Sequence, residues 1–215
     1  MSRDAVNTTA CANKKRVAVL ISGRGSNMAA LIEAAQAPDY PATIVLVLSN
    51  VPDAAGLEFA RAAGIATSTI DHRPFGNNRE AFEQALDKEL QAHTIEIVCL
   101  AGFMRLLTPS FVQRWNGRML NIHPALLPDF KGLHTHRRAL EAGVKRHGAT
   151  VHFVLPEMDS GPIIAQESVP VLEGDTEDSL AQRVLAVEHR LYPEALRLVA
   201  EGRATLAKAG QAASH

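Results

Sequence analysis

Apolar residues fall along this chain in short blocks of two alternating kinds. Val17 to Ile21, Thr43 to Leu48, Ile65 to Ile70 and Ile95 to Leu100 are compact runs that predict buried strands. Between them lie stretches with helical spacing. Met28, Leu31, Ile32 and Ala35 fall at i, i+3, i+4 and i+7, one stripe of a helix, with Ser26 or Asn27 placed to cap it. Ala54 to Ala63 reads as a second helix closed by Gly64, and Arg79 to Ala92 as a third. The run Ile95 to Leu100 is almost uninterrupted, as expected of a strand covered on both faces. Pro109 to Trp115 predicts a short helix, Met119 to Ile122 a fifth strand, and His134 to Ala142 a helix ending at Gly143.

The pattern then changes. Thr150 to Leu155 and Ile163 to Val171 read as strands with no helix between them. The intervening Glu157-Met158-Asp159-Ser160-Gly161-Pro162 suits an antiparallel hairpin. Asp175 or Thr176 opens a long last helix, with Glu177 and Asp178 in its first turn, and Pro193 is expected to kink or restart it. Together these elements predict one α/β domain. It is Rossmann-like, with a mostly parallel central sheet, helices on both faces and additional mixed strands in the C-terminal half. The domain is expected over residues 15–205, between a flexible polar extension (1–14) and a C-terminal tail (206–215).

Composition narrows the function classes. The 215 residues carry a formal net charge of −1, which argues against a dedicated nucleic-acid or membrane-surface protein but leaves room for a local phosphate pocket. No apolar run approaches the ~18 residues of a membrane-spanning helix. Met1 to Asn13 is polar and lacks the apolar segment of a secretory signal. Cys11 and Cys99 are far apart, with no disulfide framework or zinc spacing, and Cys99 reads as a small buried hydrophobe. A cytoplasmic location fits this pattern.

Candidate chemistry gathers where strands end. Asn121 and His123 sit two apart on a strand, so their side chains point the same way. Pro124 places the pair at the strand's end. An amide donor beside an imidazole fits acyl transfer, the amide holding an oxyanion and the imidazole handling a proton. Asp159, in the Asp-Ser-Gly-Pro turn, is either a turn residue or the partner of that pair. Parallel sheets bind ligands at the carboxyl ends of their strands. Ser22-Gly23-Arg24-Gly25-Ser26-Asn27, Gly102-Phe103-Met104-Arg105 and Asn121-Ile122-His123 all follow strands at that edge.

The first glycine turn reads either as a tight turn or as a single-phosphate cradle at a helix N-terminus. It is not a dinucleotide fingerprint, because Met28 holds the third glycine position and the second strand ends in Ser49-Asn50 without an acid for a ribose. The Gly-Lys-Ser/Thr ending of a P-loop is missing too. His134 and His136 form an HxH pair. On a helix, i and i+2 do not share a face, and no third ligand is evident, so no metal is expected. His152 shares a strand face with Thr150 and Val154, either as packing or as support for the site. Arg105 reads as a surface charge or a partner for a substrate carboxylate.

Four segments together resemble the phosphoribosylglycinamide formyltransferase family, folate-dependent enzymes of purine synthesis. They are Leu20 to Asn27, Leu100 to Arg105, Leu120 to Pro128 and Met158 to Pro162. Gly132-Leu133-His134-Thr135-His136 sharpens the likeness, which runs from about Val17 to Arg203. The resemblance implies formyl transfer from 10-formyltetrahydrofolate, a cosubstrate, to the glycine amine of phosphoribosylglycinamide, without a metal. It implies a catalytic trio of Asn121, His123 and Asp159. It implies amine-substrate contacts at Gly25, Ser26, Asn27, Leu185 and Glu188. It implies folate contacts at Arg79, Met104, Arg105, Leu106, Leu107, Leu155, Pro156, Glu157, Met158 and Asp159, with His152 and Thr150 supporting the site. Leu155 and Pro156 depart from familiar members, which bears on the mobility of the folate loop. The partners implied are small molecules alone, with no nucleic acid or membrane, and the assembly a monomer or weak homodimer.

Two related chemistries fit less well. A formyltetrahydrofolate deformylase resembles this domain with a regulatory module ahead of it, and a transfer-RNA formyltransferase with a basic domain behind it. A different class, a non-catalytic phosphoribosyl-binding module, would keep the glycine loop and need neither Asn121 nor His123.

Overall fold

The computed structural model describes residues 14–207. Cys11, and the expected extension and tail apart from Lys14 and residues 206–207, lie outside the described residues. Among the described residues seven strands and six α-helices follow one another. They are β1 (Lys15–Ile21), α1 (Ser26–Ala35), β2 (Ala42–Ser49), α2 (Gly56–Ala62), β3 (Ala66–Thr69), α3 (Arg79–Ala92), β4 (Ile97–Leu100), α4 (Pro109–Arg114), β5 (Met119–His123), α5 (Thr135–Glu141), β6 (Arg146–Phe153), β7 (Ile163–Pro170) and α6 (Glu177–Ala200). The strands form a single sheet in the order β3-β2-β1-β4-β5-β6-β7. The first five run parallel, while β6 and β7 are antiparallel additions beside β5. This is the predicted α/β architecture.

Strand alternation builds a core on each face of the sheet. Val17, Val19 and Ile21 of β1 face a cluster shared with Leu31 of α1, Leu57 of α2 and Leu196 of α6. Ala18 and Leu20 face the opposite cluster, with Phe82, Leu86 and Leu90 of α3 and Phe111 of α4. The strand β4 is buried along its whole length because helices cover both its sides. Cys99 on β4 is fully buried, and burial pushes its thiol up to about 12, consistent with a packing role.

Three local expectations are corrected. The first is the cap of α1. Neither Ser26 nor Asn27 caps it: Gly25, in the left-handed region at φ 72°, holds the cap position, and both expected residues lie inside the helix. The second is β6, which begins at Arg146, four residues earlier than expected, and ends at Phe153, so Leu155 belongs to the loop beyond it. The third is α6, where of the expected kink or restart at Pro193 the restart does not occur, the helix running on to Ala200. Tyr192, Ala195 and Leu196 are fully buried around it, so tertiary packing outweighs the hydrogen bond that proline cannot make.

The sheet order reverses around β1, whose neighbours are β2 on one side and β4 on the other. In open α/β sheets such a switch point opens a crevice at the carboxyl ends of the strands. The loops after β1, β4 and β5 all emerge there.

Candidate active site

Asn121 and His123 stand on alternate positions at the end of β5. The antiparallel ladder sets His152 of β6 directly across from Asn121, and Thr150 across from His123. All three of Asn121, His123 and Asp159 line one cavity of about 720 Å³, together with His152.

Asp159 reaches them from the loop between β6 and β7. Its backbone is in the left-handed region, φ 49°, uncommon for a residue with a side chain. The backbone N–H of Gly132 donates to Asp159 Oδ2 at 2.8 Å. The same oxygen lies 3.5 Å from His123 Nδ1, and both side chains are almost wholly buried. His123 Nε2 lies 3.0 Å from the Phe130 carbonyl oxygen. Each imidazole nitrogen therefore faces an acceptor, an arrangement that accommodates a proton on both.

His152 differs from its neighbour. It is buried, and burial pushes its pKa below the ordinary histidine value. Its Nδ1 lies 2.9 Å from the Phe153 carbonyl oxygen, which assigns the proton to that nitrogen. The remaining Nε2 is then an acceptor, 3.3 Å from Asn121 Nδ2. That pairing turns the amide so that its other N–H is free for the cavity. Thr150 acts further back. Its hydroxyl donates to the Ala125 carbonyl at 2.6 Å and accepts the Leu127 N–H at 3.1 Å, holding the chain just beyond His123.

Most of the expected folate positions share this cavity. Met104, Arg105, Leu106, Leu107, Leu155, Pro156 and Met158 line it. Met104, Leu106 and Met158 are exposed apolar side chains, and Leu133 joins them at the wall. Two positions stand apart. Glu157 is outside the lining and pairs with Lys131 at 3.8 Å. Arg79 opens α3 as an exposed residue, also outside the lining.

Residues 132–136 line the cavity as well, and so does Glu177, which the sequence reading did not assign. His136 Nδ1 lies 3.2 Å from His147 Nε2. Burial lowers the pKa of both rings, with His136 adding to the effect on His147, which falls to about 4. Among the described residues no group of three or more His, Cys, Asp or Glu side chains is placed to hold a metal ion.

The positions expected to contact the amine substrate form a second cluster outside the cavity wall. Gly25 ends the glycine turn and Ser26 begins α1, exposed. Asn27 Nδ2 donates to Glu188 Oε2 at 2.5 Å, joining residues 161 positions apart. Glu188 is buried, and burial raises its pKa, with the Asn27 bond opposing. Asn27 Oδ1 is buried without a hydrogen-bond partner. Leu185 lies half-buried on α6, close to one turn before Glu188.

Gly56 was not legible as part of this cluster. Its N–H donates to the Gly23 carbonyl at 3.0 Å. A β-carbon there would stand 2.6 Å from Ile21 Cδ1 and 3.2 Å from the carbonyl oxygens of Gly23 and Arg24. The start of α2 thus backs the glycine turn at van der Waals distance. Only a contact of such long range could have revealed it.

The family model described as formyl transferase matches residues 15–196. The phosphoribosylglycinamide formyltransferase of Escherichia coli (strain K12) is 50% identical over 187 residues, 87% of this chain and 88% of that relative. The trifunctional purine biosynthetic protein adenosine-3 of Homo sapiens is 52% identical over 198 residues, 92% of this chain. The chain spans only 20% of that relative's length. Among solved structures, phosphoribosylglycinamide formyltransferase from Brucella melitensis is similar, with a TM-score of 0.83 and 55% identity, covering 87% of this chain and 96% of that one.

Proposed function

The chain belongs to the formyl transferase family, and we propose that it is a phosphoribosylglycinamide formyltransferase. It moves the formyl group of 10-formyltetrahydrofolate to the glycine amine of phosphoribosylglycinamide, in purine synthesis. The observation that carries this reading is the convergence of Asn121, His123 and Asp159 on one cavity walled by exposed apolar side chains. A flat folate ring system suits that wall. The glycine turn backed by Gly56 suits a single phosphate, and the buried Glu188 suits a ribose hydroxyl. Among the described residues no helix is long and apolar enough to cross a membrane.

The mechanism follows from the charges that develop. The amine attacks as a free base and adds to the formyl carbon, and the carbonyl oxygen becomes an oxyanion. Asn121, its amide turned by neutral His152, donates a hydrogen bond to that oxygen. The attacking nitrogen becomes positive and must lose a proton, while the departing folate nitrogen must gain one. His123 and Asp159 lie side by side and carry that transfer. Their separation of 3.5 Å exceeds ordinary hydrogen-bond distance, which leaves His123 Nδ1 able to serve a reacting atom. Asp159 supplies the opposite charge when the ring is cationic.

Absorbance-monitored consumption of 10-formyltetrahydrofolate, with and without phosphoribosylglycinamide, tests the reading. Turnover that requires the amine supports it. Steady formate release without the amine would instead make the protein a deformylase.

A further inference from the structure

We infer that Ser22 is a positioning residue for the folate, acting through the backbone of Met104 without touching either substrate. This rests on the formyl-transfer reading above. Ser22 is the first residue after β1, at the switch point between β2 and β4. It makes three hydrogen bonds, each to or from a different residue. Its N–H donates to the Gly102 carbonyl at 3.2 Å. Its Oγ accepts the Met104 N–H at 2.7 Å. Its hydroxyl proton goes to Asn50 Oδ1 at 2.5 Å.

The third bond gives the second its direction. A serine hydroxyl has one proton and two lone pairs, and it rotates to suit its neighbours. Asn50 follows the end of β2 and is buried, 2% exposed, so it offers a fixed acceptor. With the proton committed to Asn50, the lone pairs are turned toward Met104. Ser22 therefore ties the loop after β4 to the buried end of β2.

The far end of that loop is held as firmly. The Thr108 N–H donates to Glu83 Oε1 at 2.6 Å, and the Thr108 hydroxyl donates to Glu83 Oε2. Met104 to Leu107, between the two anchors, all line the cavity, while Ser22 does not. The glycine turn has separate supports, from Gly56 to Gly23 and from Asn27 to Glu188. Loss of the Ser22 hydroxyl should thus loosen the folate wall and leave the phosphate cradle in place.

The test is a steady-state comparison of wild type with Ser22→Ala, Ser22→Cys and Ser22→Thr. In Ser22→Ala the KM for 10-formyltetrahydrofolate should rise by about tenfold, with kcat and the amine KM within about twofold of wild type. Ser22→Cys preserves the size of the side chain but replaces the acceptor with a weak one, so its folate KM should lie between. Ser22→Thr keeps the hydroxyl and should restore the wild-type value. Calorimetric titration with tetrahydrofolate should show the same order of affinities, and it does so whether or not the protein turns over. A merely structural serine would lower the active fraction and leave the folate KM unchanged. An unchanged folate KM in folded Ser22→Ala, or equal rises in both KM values, overturns the inference. If wild type binds tetrahydrofolate but transfers no formyl group, the functional reading fails while the titration still decides the role of Ser22. If wild type does not bind tetrahydrofolate, both fail.

Discussion

Asn121 Nδ2 stands 3.3 Å from His152 Nε2, across the antiparallel ladder between β5 and β6. The imidazole is the acceptor because its other nitrogen is committed to the Phe153 carbonyl. Losing one oxyanion donor costs about 2.7 to 4 kcal/mol in a barrier. Asn121→Ala should therefore depress turnover roughly 100- to 1000-fold with little effect on stability. His152→Ala should do less, about tenfold, because the donor remains and only its aim is lost. Single-turnover rates for the two variants check that order. Near-normal turnover in Asn121→Ala would remove the residue from the mechanism.

Glu188 should matter to the amine substrate alone. Glu188→Gln removes the carboxylate that Asn27 holds and that a ribose hydroxyl would meet. The KM for phosphoribosylglycinamide should rise by about tenfold or more, while the folate KM stays within about twofold. Separate substrate titrations distinguish this from a general loss of fold.

Gly56→Ala should act on the same substrate by a different route. The new methyl would meet Ile21 Cδ1 at 2.6 Å, a flexible end, and the carbonyl oxygens of Gly23 and Arg24 at 3.2 Å. The side chain gives way more readily than the glycine turn does, but the turn must still shift by tenths of an ångström. The expected result is an amine KM raised by several-fold and a modest loss of stability, about 1 kcal/mol. Denaturant melts alongside kinetics measure both.

Acid should destabilise the fold through the His136 and His147 pair. The native pKa of His147 is lowered to about 4, against an ordinary histidine value in the unfolded chain. Between those values the unfolded state binds more protons, so stability falls as pH falls, and the loss levels off below the native pKa. One such imidazole removes about 1.6 kcal/mol between pH 6.5 and pH 5, on the order of 3 to 6 °C in melting temperature for a chain of this size. His136 and His152 are shifted the same way and add to it. Melting curves of His147→Asn should show a shallower acid dependence than wild type. An identical dependence would exclude His147 as a contributor.

Much of this was legible along the chain. Alternation alone put Asn121 and His123 on one side of a strand, and helical spacing gave α3 its bounds, Arg79–Ala92. What remained hidden depends on residues distant in sequence. Asn27 looked like a cap, but its side chain is held by Glu188, so Gly25 took that place. Pro193 looked like a kink or a restart, yet the helix runs on through it, with Tyr192 beside it buried and its hydroxyl donating to the Leu100 and Leu120 carbonyls at 3.0 and 3.2 Å. Asp159, taken alone, read as a turn residue. Only the fold set its carboxylate beside His123, and nothing in a single sequence marks Gly56 as a support for the glycine turn or Ser22 as a support for the loop after β4.

The fate of the formyl carbon tests the central claim most directly. Wild-type protein would be given 10-formyltetrahydrofolate labelled with carbon-13 in the formyl group, together with phosphoribosylglycinamide, and the products read by NMR. The account predicts that the label appears on the glycine nitrogen of the phosphoribosylated product, and that Asn121→Ala slows its appearance without diverting it. Label recovered as formate, at a rate indifferent to the amine, would contradict it.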